Sequence, residues 1–135
     1  MFDELDKILS EDSSEDSWYD DGCLYAEELL ENFTDDDWKK LMQTIKTKDD
    51  KYKIRLAYSI EEDTGMNGFN LLLELIKESD KVAEYTLDSL RSFDKEPYKN
   101  LISSDKEIIE KAKILLKNAS LPVKRMLEVF LKQNK

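Results

Sequence analysis

The chain has 135 residues, a length that fits one domain with a buried core. Forty percent of the residues are hydrophobic, with three glycines and two prolines, which favours helices and argues against a disordered chain or a turn-rich β fold. The net charge is −10, and residues 1–37 hold fifteen of the 31 acids but a single base, Lys7, so the chain lacks the basic face that a nucleic-acid or anionic-membrane binder needs.

The first predicted element is a short helix over residues 2–9. Its apolar residues at helical spacing are Phe2, Leu5, Ile8 and Leu9. Residues 10–17, SEDSSEDS, are polar and of low complexity, which predicts a loop. Residues 1–17 are therefore a candidate mobile acidic segment ahead of helical repeats over residues 18–135, all within one all-α domain.

An acidic run lies between the next two predicted helices. The first covers residues 22–33 and has apolar residues at helical spacing. Thr34 is a suitable N-cap for the second, which extends to about residue 46, because three aspartates then lie beside the positive end of the helix dipole. Trp38 falls on the apolar stripe of this helix and is predicted to be a core residue.

The central part of the chain predicts two more helices separated by a glycine-rich loop. The first covers residues 50–62. Its predicted buried face is Ile54, Ala57 and Tyr58. Gly65 and Gly68 flank two residues and indicate a loop, after which a helix is predicted over residues 68–78.

The C-terminal third predicts four more helices. They are expected over residues 80–93, over a short segment after Pro97, over residues 105–118, and from Pro122 onward as a C-terminal cap. Ser79 is the predicted N-cap of the first of these helices. Ser104 and Glu107 have the spacing of a capping box for the third.

A faint internal repeat runs through these helices. Three segments each start with an aromatic residue, form one helix, break in a polar stretch and continue in a second apolar helix. They begin at Trp38, Phe69 and Tyr98, so their starts lie 31 and 29 residues apart. Paired helices at this period predict a helical-hairpin α-solenoid of about seven or eight helices, with a compact helical bundle as the alternative.

The chain lacks the residues of most catalytic sites. It has no histidine and one cysteine, Cys23, which excludes serine–histidine and cysteine–histidine nucleophiles and any thiol metal cluster. The acids match no calcium-loop spacing, and so many carboxylates select no single pair for acid–base catalysis. We predict a protein that is not an enzyme and holds no cofactor or metal, with a carboxylate enzyme as the alternative.

The compartment follows from what the sequence lacks. No window approaches the eighteen apolar residues of a membrane span, and the first residues lack the apolar run of a signal peptide. A lone thiol suits a reducing compartment. We therefore expect a cytoplasmic protein.

Aromatic residues surrounded by acids predict an interface for a basic protein. Trp18 and Tyr19 lie between two acidic pairs in the first quarter of the chain. The residues expected to contact the partner are Asp12, Glu15, Asp16, Trp18, Tyr19, Asp20 and Asp21, with Asp35 and Asp36 at the rim. The alternative for Trp18 is a place in the core, with the acids serving as a solvated surface.

The repeat segments resemble HEAT-like helical repeats. The resemblance covers residues 18–119 and rests on RLAYSI at 55–60, LLLELI at 71–76 and TLDSLRSF at 86–93. Small acidic proteins of this build occur among bacterial immunity proteins, including those of contact-dependent growth inhibition systems. Such proteins neutralise the toxic C-terminal domain of a polymorphic toxin, very often a basic nuclease.

The resemblance implies an immunity protein, as a monomer or in a 1:1 complex with a basic toxin domain. Its carboxylates would stand in for nucleic-acid phosphates and block the toxin's substrate surface. The alternative is a helical-repeat scaffold or adaptor that binds a peptide in its concave face.

Overall fold

The computed structural model describes all 135 residues, and its regular secondary structure is entirely helical. The ten α-helical segments are α1 (Phe2–Ser10), α2 (Glu15–Ser17), α3 (Cys23–Glu31), α4 (Asp35–Thr44), α5 (Asp50–Ser59), α6 (Gly65–Leu75), α7 (Asp80–Leu90), α8 (Tyr98–Ser103), α9 (Lys106–Leu116) and α10 (Leu121–Gln133). A π-helical turn, Trp18–Gly22, joins α2 to α3, and 3₁₀ turns follow α4 and precede α6. The all-α class predicted from the sequence is confirmed.

The helices pack in part as the repeat predicts. In the second and third repeats α6 packs on α7 and α8 on α9, whereas in the first repeat α4 packs mainly on α1 rather than on α5. The second helices lie side by side, with α5 against α7 and α7 against α9, and α3, which precedes the first repeat, packs on α5. The last helix, α10, packs on α7 and α9 and closes that end of the array. One core of 31 buried hydrophobic residues runs through the whole stack.

Helix α5 lies at the centre of the fold, against α1, α3, α6 and above all α7. Its buried residues are Tyr52, Lys53, Arg55, Leu56, Ala57 and Ser59. Because α5 has neighbours on several sides, burial is not confined to one stripe. The predicted buried face is therefore wrong in part: Ala57 is buried, Ile54 is half-buried and Tyr58 is 40 % exposed.

Helix α1, predicted over residues 2–9, belongs to the core. Leu5 and Leu9 are fully buried, and α1 packs against α3, α4 and α5. Asp6 adds a polar tie, because its Oδ1 accepts a hydrogen bond from the Tyr52 hydroxyl (2.8 Å) and lies 3.3 Å from Lys48 Nζ. The predicted loop is shorter than expected, since α2 begins at Glu15.

The loop between α1 and α2 is held by a buried arginine of α5. Arg55 donates from Nη1 to the Glu11 carbonyl (2.9 Å) and from Nη2 to the carbonyl and the hydroxyl of Ser13 (3.2 Å each). Its guanidinium also lies over the ring of Trp18, 4.9 Å from the centroid. The central helix thus fixes the start of the acidic segment through neutral oxygens and one aromatic ring.

The capping predicted at Thr34 is confirmed. Its hydroxyl accepts from the Asp37 backbone N–H, while the Asp37 carboxylate accepts from the backbone N–H of Thr34. Asp37 also accepts from the Phe2 backbone N–H (3.3 Å), which joins α4 to α1 and helps to hold the pKa of Asp37 below its usual value. Trp38 is buried, as predicted, with Phe33 edge-on to its ring.

The loop predicted from the two central glycines is wrong, because α6 begins at Gly65. Gly65 has a φ of +70°, a conformation that suits glycine. A Cβ at Gly68 would lie 1.7 Å from Thr64 Oγ1 and 3.1 Å from Ile60 Cγ2. The glycines therefore allow a sharp entry into α6 and its close approach to the preceding turn.

Two serine caps were predicted near the C-terminal helices, and they differ in outcome. The Ser79 cap of α7 is confirmed, since its hydroxyl accepts from the Val82 backbone N–H. The capping box at Ser104 is wrong, because Asp105 Oδ1 accepts from the backbone N–H groups of Glu107 and Ile108. The Ser104 hydroxyl instead donates to the Asn100 carbonyl in α8, so it forms its hydrogen bond with the preceding helix and does not cap α9.

The burial of α1 yields a stability prediction. Leu5→Ala removes a fully buried side chain, and we expect it to lower the free energy of unfolding by about 2–5 kcal/mol. Leu121→Ala is the matched control, because Leu121 is 62 % exposed, and its effect should stay within about 0.5 kcal/mol. Urea unfolding measures both effects. A loss of stability in Leu5→Ala as small as that in Leu121→Ala would show that α1 contributes no core packing.

Candidate functional site

The nine predicted contact residues do not form one surface. Trp18 is 3 % exposed, with Arg55 over its ring and Gly22 so close that a Cβ there would lie 2.6 Å from Trp18 Cε3. Its assignment as a contact residue is therefore wrong, and its place in the core is the correct alternative. The other eight are exposed. They are Asp12, Glu15, Asp16, Tyr19, Asp20, Asp21, Asp35 and Asp36.

The exposed acids point to different parts of the molecule. Asp21 lines a cleft beside α1 together with Glu11 and Tyr25. Asp12 lies 3.9 Å from Lys51 Nζ, on the side of α5. Asp35, at the start of α4, accepts a long hydrogen bond (3.5 Å) from the amide of Asn67 in α6. Tyr19 lies on a further face, against Tyr58 of α5 and beside Tyr85 of α7, with Glu15 close to it.

Tyrosine rings from three segments meet on the face that includes Tyr19. Tyr19 of the π-turn and Tyr58 of α5 pack edge-to-face, with centroids 4.9 Å apart and an interplanar angle of 72°. Burial raises the pKa of the Tyr19 hydroxyl, and the neighbouring Tyr85 of α7 and then Glu15 raise it further. Tyr19 and Tyr58 are 37 % and 40 % exposed, so their rings are ordered by contact with each other yet still reachable.

A cleft of about 260 Å³ lies beside Tyr58, between α3, α5 and α7. We call it the anchor cleft. Its acidic lining residues come from three segments: Glu27 of α3, Glu61 after α5, and Asp88 of α7. No lysine or arginine lines it. Of the three acids, only Asp88 forms an ion pair, with Arg91 at the end of α7 (2.7 Å), whereas Glu27 and Glu61 form none.

Further carboxylates crowd the same end of α3. Burial raises the pKa of Glu27, and the charges of Glu61, Asp63 and Glu31 raise it further. The pKa of Glu31 is raised by its hydrogen-bonding contact with Asp63 and by that carboxylate's charge. Mutual repulsion of this kind is relieved by protonation or by an incoming cation. These acids do not form a group that could hold a metal ion.

A second cleft, of about 330 Å³, lies between α7 and α10. Asp88 lines both clefts, and the basic residues Lys81 and Arg91 line the second together with Tyr85. The two clefts are therefore neighbours on one face of the molecule. We call this face the tyrosine groove, defined by Tyr19, Tyr58, Tyr85, Glu27, Glu61 and Asp88.

The sequence predicted one member of the tyrosine groove, Tyr19, and its neighbour Glu15, but none of the other five members. Glu61 and Asp88 lie outside the acid-rich first quarter, and Tyr58 was assigned to the core. One signal was available: if the second helices of a repeat lie side by side, their outward polar residues share a face. That argument would have placed Tyr58 beside Asp88.

The single cysteine is not part of a reactive site. Cys23 is buried, its Sγ donates to the Tyr19 carbonyl (3.3 Å), and burial raises the pKa of its thiol. A raised pKa leaves less of the nucleophilic thiolate. Cys23 therefore acts as a small packing residue beneath the tyrosine groove.

No protein-family model, curated protein or solved structure matches this chain. None of its helices combines the length and the hydropathy that crossing a bilayer requires. Exposed aromatic rings beside carboxylates are suited to holding cationic side chains.

The crowded carboxylates predict a pH dependence. The pKa of Glu27 is raised on folding, so the folded state binds more protons than the unfolded state above the ordinary glutamate value of about 4.3. The free energy of unfolding should therefore fall as pH rises from that value through the raised one. Glu27→Gln removes this contribution, so stability relative to wild type should increase with pH across the window.

Urea midpoints of wild type and Glu27→Gln, measured at a series of pH values, check this prediction. Glu128→Gln, an exposed position on α10, is the matched control and should leave the wild-type profile unchanged. A constant offset between wild type and Glu27→Gln at every pH would contradict the assigned electrostatics.

Proposed function

We propose that this chain is a non-enzymatic cytoplasmic binding protein that neutralises a basic toxin domain, a nuclease, in a 1:1 complex. The observation that carries the proposal is the tyrosine groove, in which exposed aromatic rings lie beside Glu27 and Glu61, which form no ion pair, and beside Asp88, whose ion pair with Arg91 is solvent-exposed. Interfaces concentrate binding energy in such partly buried aromatic residues. The resemblance of the repeats to those of immunity proteins supplies the biological class.

Charge explains how the partner would be selected and how fast it would bind. The first 37 residues carry a net charge of about −14, and Asp16 of α2 and Asp20 and Asp21 of the π-turn flank Tyr19 of the tyrosine groove in the sequence. Carboxylates at the rim of an interface accelerate association with a cationic partner more than they slow its dissociation. We therefore assign Asp16, Asp20 and Asp21 to steering and the groove to affinity.

The mechanism of neutralisation would be occlusion. A nuclease domain needs a basic surface to hold the phosphates of its substrate. Carboxylates presented by a rigid helical stack would pair with the same lysines and arginines and exclude the nucleic acid. No chemistry by this chain is required, which agrees with the absence of histidine and of a second cysteine.

A scaffold or adaptor that binds a basic peptide is the second candidate. The groove spans the side-by-side second helices, which is where helical-repeat proteins hold extended ligands. The two candidates differ in the partner's fold: an immunity protein binds a folded toxin domain and rescues cells from it, whereas an adaptor binds the isolated peptide equally well.

The steering role yields a kinetic prediction. Reversing three charges, with Asp16→Lys, Asp20→Lys and Asp21→Lys combined, should slow association with a basic nuclease toxin domain by about 10-fold or more at low salt. It should also weaken the salt dependence of the association rate. Stopped-flow fluorescence at several salt concentrations measures both effects.

The matched control combines Glu107→Lys, Glu110→Lys and Glu128→Lys. It changes the net charge equally but on exposed sites of α9 and α10. An equal loss of rate in both variants would show that net charge, rather than the acidic N-terminal surface, steers the partner. Survival of cells that co-express the toxin domain tests neutralisation itself, and death despite a folded wild-type protein would reject the immunity function.

A further inference from the structure

We propose that the anchor cleft is a socket for one arginine side chain of the basic partner. This inference rests on the proposed function and specifies the chemistry of its central contact. The cleft lies beside Tyr58, between α3, α5 and α7, with Glu27, Glu61 and Asp88 in its lining.

The polar groups of the cleft are hydrogen-bond acceptors. Besides its three carboxylates, the lining includes Ser89 and Ser92. The Ser89 hydroxyl donates to the Ala57 carbonyl, and the Ser92 hydroxyl donates to the Ser89 carbonyl (2.8 Å). Because both hydroxyl protons already form hydrogen bonds to backbone carbonyls, the two oxygens can act only as acceptors toward the cleft. A ligand with many hydrogen-bond donors and no acceptor is complementary to such a lining.

The carboxylates are available to such a ligand. Asp88 pairs with Arg91 at 2.7 Å, but the side chains are 52 % and 37 % exposed, and a solvent-exposed pair of this kind exchanges partners at little cost. Glu27 and Glu61 line the same cleft, and burial, followed by the charge of Glu61, raises the pKa of Glu27. An entering cation would relieve that repulsion.

The aromatic wall favours a guanidinium over an ammonium group. Tyr58 is held edge-on against Tyr19 at 4.9 Å, and 40 % of its surface stays exposed. A planar guanidinium stacks on such a ring and keeps its five donors for surrounding acceptors, whereas an ammonium group offers three. The chain itself contains this kind of contact, with Arg55 over Trp18 at 4.9 Å.

The test compares two peptides of equal charge, hexaarginine and hexalysine, by fluorescence anisotropy at one fixed ionic strength. Wild type should bind hexaarginine about 3- to 10-fold more tightly than hexalysine. Tyr58→Leu should abolish this preference, while Tyr58→Phe, which keeps the ring, should retain it. Glu27→Gln combined with Asp88→Asn should weaken hexaarginine binding more than hexalysine binding.

The matched control for the acids is Glu107→Gln combined with Glu110→Gln on α9, which removes the same charge away from the cleft and should lower both affinities equally. Circular dichroism confirms that each variant is folded. Equal affinities of wild type for the two peptides, no binding of either, or a preference that survives in Tyr58→Leu would overturn the socket. These outcomes leave the toxin-rescue assay unaffected, so failure of the socket and failure of the proposed function are distinguishable.

Discussion

The packing of α5 against α7 is the contact on which the rest of the structure depends. Each helix buries apolar residues toward the other, and α5 is also covered by α1, α3 and α6. With α5 fixed, two of its side chains take defined places: the buried Arg55 reaches the loop before α2, and the exposed Tyr58 reaches the surface between α3 and α7. The same helix therefore contributes to the core and to the tyrosine groove, so loss of packing in α5 would disorder both.

The acid-rich first quarter of the chain is built into this core. Self-repulsion of so many carboxylates opposes folding. Several contacts offset this repulsion. Leu5 and Leu9 bury apolar surface, and Asp37 caps α4 and accepts a hydrogen bond from the Phe2 backbone. Arg55 holds the loop before α2 through hydrogen bonds. The negative surface is thus presented on a rigid support, which lowers the entropic cost of binding a partner.

The sequence predicted the fold well where local chemistry decides the structure. Thr34 and Ser79 act as caps through hydrogen bonds within their own first turn, so their roles are readable from spacing alone. The loop predicted at Gly68 is wrong because this glycine allows α6 to approach the side chains of Thr64 and Ile60 closely. The spacing of residues in the sequence does not reveal such a contact. The burial of Trp18 involves Arg55, which is 37 residues away in the chain and lies over its ring. The tyrosine groove forms only because particular helices become neighbours, which local sequence does not specify.

The central claim is that the tyrosine groove, rather than the acidic segment as a whole, is the surface that binds the basic partner. Chemical-shift mapping of this chain with and without a basic nuclease toxin domain tests it most directly. We expect the largest perturbations at Tyr58, Tyr85, Glu27 and Asp88, with smaller ones at the exposed aspartates of the π-turn. Perturbations confined to the α1 side and the start of α4, with Tyr58 and Asp88 unchanged, would contradict it.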